Sequence, residues 1–244
     1  MARHPRVVLP GVALHIVQRG NNRNACFAAD ADFLTYLGHL GHLSRKYECA
    51  VHAYCLMTNH VHLLLTADDA TACALLMRDL GRSYVPYFNR RYGRTGTLWE
   101  GRFRSCMAES ARYVLACYRY IESNPVRADM VRVPSAYRWS SHLGNIGERA
   151  DPLLKPHPEY LALAEDSGGR RTAYRGLFDE GLETSLLRSI REATNGGYPL
   201  ASDAFKVEIV RQGYRTERGK PGPRAETPCA RYGCEPVPEA AGAG

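Results

Sequence analysis

Residues 50–66, AVHAYCLMTNHVHLLLT, constrain the fold of this chain more than any other stretch. Two strand-like runs, Ala50–Met57 and His60–Thr66, are separated by only Thr58 and Asn59. So short a break predicts an antiparallel hairpin. Side chains alternate along a strand. His60 and His62 therefore share a face, with Cα atoms about 7 Å apart, while Val61, Leu63 and Leu65 point the other way into a core. Two imidazoles projecting together from a rigid strand suit a divalent cation. The plainer alternative is two half-exposed histidines with no shared task; the common face is what raises the metal reading.

The flanking sequence places this hairpin in a small α+β unit. Ala13–Arg19 (ALHIVQR) alternates like a half-buried strand and is broken by Gly20, Asn21 and Asn22. Asp30 or Asp32 is placed to cap a helix through Phe33, Leu37, Leu40 and Leu43. Asp68 or Asp69 opens a second through Leu76, Leu80 and Tyr84, which Pro86 is expected to bend or end. Residues 93–105, GRTGTLWEGRFRS, read as a loop leading into a strand. Ser110 is a candidate cap for a helix from Ala111 to Asn124, terminated by Pro125. The order β-α-β-β-α-β-α predicts a ferredoxin-like, RRM-like antiparallel sheet with helices packed on one face. Residues 1–145 would form this domain and residues 146–214 a helical C-terminal extension, with helices expected at Leu182–Ala193 and Ser202–Gln212. Residues 215–244, rich in Gly, Pro, Ala and charge, read as a disordered tail.

A formal net charge of +7 points towards a polyanionic partner, nucleic acid before membrane surface. No apolar run approaches the ~20 residues that span a bilayer, and the N-terminus lacks the pattern of a signal peptide. Several of the 8 cysteines lie in apolar stretches, where cysteine acts as a small hydrophobe. Together these features favour a reducing cytoplasm over a disulfide framework.

The second sharp feature is RYVLACYRYIESNP, residues 112–125. Tyr120 and Asn124 are one helical turn apart and share a face, while Val114, Tyr118 and Ile121 form a neighbouring packing stripe. Asn124 offers a carbonyl oxygen to an ion such as Mg²⁺ or Mn²⁺. A phenol with a pKa near 10 becomes a useful nucleophile only when a nearby cation stabilises its phenolate. Taken alone, the segment reads more simply as a packing tyrosine and an asparagine at a helix stop.

Together NHVHLLL, GTLWEGRFRS and YRYIESNPVRADMV followed by WSS resemble the IS200-type single-tyrosine transposases. More narrowly they resemble the REP-associated tyrosine transposases of bacteria, over roughly Pro10 to Ser141. The resemblance implies His60, His62 and Asn124 as ligands of one Mg²⁺ or Mn²⁺, with Tyr120 as nucleophile. It implies nicking and rejoining of single-stranded DNA at a REP-type palindromic hairpin through a 5′-phosphotyrosine. Asn124, where insertion-sequence members usually carry Gln, fits the REP-associated branch, which favours a monomer over a homodimer.

Arg19, Arg23, Arg94, Arg102 and Arg104 are candidates to meet phosphates, and Trp99 and Phe103 to stack on unpaired bases; the plainer alternative is that Trp99 is core and the arginines are a solvated face. Arg127, just after the ligand helix, is a candidate for the scissile phosphate. Two other classes stay open: a non-catalytic hairpin-binding protein on the same scaffold, and a metal-dependent phosphoesterase in which water attacks.

Overall fold

The computed structural model describes residues 7–217. The first crossover helix starts at an aspartate, as expected, and the second is preceded by one three residues upstream. In α1 (Asp30–Lys46) the Asp32 carboxylate turns back to accept the N–H groups of Ala28 and Ala29 at 2.8 and 2.9 Å. This satisfies donors that a helix start leaves without partners. Asp69 does the same ahead of α2 (Ala72–Arg91), accepting from Thr71 and Ala72. Pro86 does not end α2, which runs five residues past it, to Arg91. Leu76, Leu80, Tyr84 and Phe88 form one buried stripe through the proline. Continued burial of that stripe outweighs the lost backbone hydrogen bond, a cost of about 3 kcal/mol.

The strands β1 (Ala13–Arg19), β2 (Ala50–Met57), β3 (His60–Thr66) and β4 (Arg104–Ala108) form one antiparallel sheet in the order β2-β3-β1-β4. This is the expected ferredoxin-like arrangement. Right-handed crossovers carry α1 and α2 over one face. That face presents Leu14, Ile16, Val61, Leu63 and Leu65, all sealed from solvent. The opposite face carries His15, His60 and His62 and is covered by a second helical layer.

The first part of that layer is α3 (Ala111–Glu122), packed against β2, β3 and β4. Ser110 occupies its N-cap position but donates no cap; its φ of 76° is one that non-glycine residues seldom adopt. The helix stops two residues short of Asn124, and a new turn, α4 (Asn124–Arg127), begins. Pro125 therefore starts a helix rather than terminating one, as suits a residue with fixed φ and no N–H to satisfy.

The remaining helices are α5 (His142–Asn145), α6 (Pro158–Leu161), α7 (Ser167–Gly176), α8 (Thr184–Gly196) and α9 (Asp203–Arg211). The last two match the helices expected in the extension. Ser202 caps α9 by accepting from Phe205 N–H. Contacts cross the boundary expected at residue 145. α8 packs on β4 and β1, and Leu200 bridges to the end of β4. Trp139, Ser141 and Lys155 bond to the outer rim of β2 through Leu56, Tyr54 and Val51. The expected tail lies outside the described residues beyond Glu217.

Cys26, Cys49, Cys55, Cys73, Cys106 and Cys117 are buried free thiols, matching their reading as small hydrophobes. Among the described residues, no helix is long and apolar enough to cross a membrane.

Candidate functional site

The register of the sheet sets the site. On β3, His60 lies opposite Arg19 and His62 opposite Val17, so β1 presents His15, Val17 and Arg19 on the histidine face. The rings of His60 and His62 lie 5.0 Å apart between centroids. His15, which has no sequence neighbour to suggest a role, stacks on His62 at 5.3 Å with planes 10° apart. Its Nε2 lies 3.0 Å from His62 Nδ1, and its Nδ1 lies 3.0 Å from Thr194 Oγ1 on α8.

These imidazoles are held neutral. Burial pulls His15 down to about 3, with the nearby Arg127 charge adding to the effect. His60 falls to about 4, from burial first and Arg19 second. His62, only 4% exposed, is pushed well below the ordinary value by burial and then by its neighbours His15 and His60. Neutral imidazole is the form that ligates metals. His60 Nδ1 lies 2.6 Å from Asn59 Oδ1, a carbonyl that can only accept, so the proton sits on Nδ1 and Nε2 keeps its lone pair. The donor set thus fits a divalent cation. Among the described residues no group of three His, Cys, Asp or Glu forms a metal cluster.

Tyr120 completes the cluster. Its ring stands edge-on to His62 and His15, with centroids 5.7 and 5.6 Å away. Tyr84, Tyr137, Tyr160 and Tyr174 all donate their hydroxyls to a carbonyl or carboxylate. Among the described residues the Tyr120 hydroxyl donates to none. Arg127 lies over its ring, 4.3 Å from the centroid, and its guanidinium donates to the Tyr120 carbonyl. A guanidinium so placed packs on the ring face and fixes it. Asn124 is half-buried one turn on, at the start of α4, and among the described residues its side chain makes no hydrogen bond.

Beside His60 runs a groove lined by Val17, Arg19, Glu100, Arg102, Arg104 and Asn195. Arg104 is held there by Asn195 Oδ1 at 2.7 Å. Arg23 is exposed near the hairpin tip, where its carbonyl accepts from Asn59. Two expected nucleic-acid contacts lie elsewhere. Trp99 is 6% exposed and packs on Tyr36 and Tyr84, so it is core and offers no stacking face. Arg94 lies over Phe88 instead of lining the groove. Phe103 is half-buried and packs against the core.

Residues 9–124 match the family model described as IS200-like transposase. The match spans 116 of the 244 residues, a similarity to IS200-like transposases over just under half of the chain. His60, His62, Tyr120 and Asn124 all fall within its span, whereas Arg127 and Thr194 lie beyond it. A structure of a REP-associated tyrosine transposase bound to a REP hairpin is similar at 17% identity and a TM-score of 0.49, over 63% of this chain and 90% of that one. A transposase from Deinococcus radiodurans R1, described as putative, is similar at 15% identity and a TM-score of 0.35, over 46% and 89%. No curated protein matches the sequence.

Proposed function

We propose that this chain nicks and rejoins single-stranded DNA with Tyr120 as nucleophile. The observation that carries the reading is the edge-on contact of the Tyr120 ring with His62, beside a second imidazole whose Nε2 is bare. His60 and His62 would hold a Mg²⁺ or Mn²⁺ ion, with Asn124 as third ligand. When bound, the ion supplies Lewis acidity to a phosphoryl oxygen and stabilises the phenolate.

Tyr120 attacks the phosphorus of a backbone phosphodiester. The Tyr–O–P bond forms, the P–O3′ bond breaks, and the released 3′ oxygen takes up a proton. Reversal by attack of a 3′-OH reseals the strand and returns the phenol, so phosphodiester energy is conserved. Arg127, over the tyrosine ring, holds the nucleophile and adds positive charge where the phosphate must approach. Arg19, Arg102 and Arg104 receive the backbone along the neighbouring groove, and Arg23 at the hairpin tip can extend that track. The motif resemblance makes a REP-type hairpin the substrate, with the monomer as working unit and the cytoplasm as its place.

The test is a denaturing gel of the full chain incubated with Mn²⁺ and labelled single-stranded hairpin DNA. A covalent protein–DNA band, absent in Tyr120→Phe, is the expected result. Cleavage without an adduct would mean a water-using phosphoesterase, and binding without cleavage a non-catalytic hairpin binder.

A further inference from the structure

Well beyond the family match, α8 reaches the histidine cluster through Thr194, and the effect follows from counting protons. Thr194 Oγ1 donates to Ile190 O at 2.7 Å, the back-bond a helical threonine makes one turn up. A hydroxyl has one hydrogen, so towards His15 Nδ1, 3.0 Å away, Thr194 can only accept. The proton of neutral His15 is therefore on Nδ1, and its Nε2 carries a lone pair. That lone pair faces His62 Nδ1 at 3.0 Å, so His62 must donate from Nδ1. Its Nε2 is left bare.

Without Thr194 the contact between His15 and His62 would be symmetric, with either ring able to hold the shared proton. In the reversed arrangement His62 would be protonated at Nε2 and lost as a ligand through that atom. We infer that Thr194 is a positioning residue which, through His15, fixes the tautomer of His62 and so makes its Nε2 a metal donor. α8 thereby belongs to the functional centre, although it lies outside the matched residues 9–124. The metal part of this inference rests on the reading under Proposed function; the proton chain does not.

Two measurements on the full chain test it. In the metal-free protein, long-range ¹H–¹⁵N NMR should show His62 and His15 both protonated at Nδ1 with pyridine-type Nε2. Wild type with His62 protonated at Nε2 overturns the inference. By Mn²⁺ EPR titration, Thr194→Val should weaken binding about 10- to 100-fold, as loss of an outer-shell partner does, and Thr194→Ser should restore it. Cys106→Ala removes the thiol 3.2 Å from Thr194 and opposite His15 in the sheet, but no donor or acceptor of the His15–His62 proton chain, and should bind Mn²⁺ like wild type. Equal loss in Cys106→Ala and Thr194→Val would mean that packing, not proton placement, is at work, and overturns the inference. So would unchanged affinity in Thr194→Val. A wild type with the expected tautomers that binds no Mn²⁺ supports the proton chain and sinks the metal centre itself.

Discussion

Two buried polar clusters touch α3, and they are built on opposite principles. Around Glu122 every acceptor is used. Ser141 and Asn145 donate to Oε1 at 2.5 and 2.7 Å, and Tyr174 to Oε2 at 2.7 Å, with His142 Nδ1 2.9 Å from the same oxygen. Two residues earlier, around Tyr120, His60 and His62, the hydrogen bonds orient the rings but leave donor atoms without partners. The first cluster ties α3 to the chain after it. On the proposed reading, the free lone pairs of the second cluster are what ligation would use. Burial and polarity are common to both clusters and do not separate them; spare lone pairs do.

The largest expected effect is on chemistry. Tyr120→Phe should abolish the covalent DNA adduct on the gel while shifting the thermal midpoint little, because among the described residues the hydroxyl donates to no acceptor. A large loss of stability would put Tyr120 with Glu122 among closed structural groups. Next comes Glu122→Ala, which strands the donors that meet in its carboxylate. It should cost about 3–5 kcal/mol, a fall of the order of 10 °C in a calorimetric scan. A stable Glu122→Ala protein would break the contrast from the other side.

A pH titration of stability sharpens it further. His52 is also saturated, with Nδ1 2.7 Å from Lys155 O and Nε2 2.8 Å from Thr66 Oγ1. Burial pulls it down to about 4, His157 adds to the shift, and the Lys155 carbonyl opposes it. Between that value and about 6.5 the unfolded chain binds more protons than the fold. Stability should therefore be level above about pH 6.5 and fall as the pH drops towards about 4. His52 contributes roughly 3 kcal/mol of that loss, and chemical denaturation at stepped pH should show a shallower fall in His52→Gln. The smallest effect on stability belongs to His60→Ala. Among the described residues its half-buried ring hydrogen-bonds only its neighbour Asn59, so the change should stay under about 1 kcal/mol while Mn²⁺ binding by calorimetry is lost.

What could be read in the sequence was what a short window contains. The facing of His60 and His62 follows from a two-residue period, and the shared turn of Tyr120 and Asn124 from a helical one. The hairpin, the crossover helices and the two helices of the extension carried similar local signals. His15 and Thr194 did not. They meet the cluster from 47 residues before His62 and, for the His15–Thr194 pair, across 179 residues. Only strand register and the docking of α8 bring them in. Glu122 had no signal at all, because its partners lie on later segments. At Pro86 and Trp99 the sequence left two outcomes open, and tertiary burial decided between them: α2 runs on past the proline, and Trp99 is core.

The bonding of residues 139–155 along β2 bears on how copies of this chain can associate. An open sheet normally offers its rim as a template for another strand. Here the amide of Leu56 meets Trp139 and the carbonyls of Tyr54 and Val51 meet Ser141 and Lys155, so the chain acts as its own selvedge. A neighbour seeking to lengthen the sheet at β2 would first have to unpick that hem. Any lasting assembly on this side must instead be knitted from side chains.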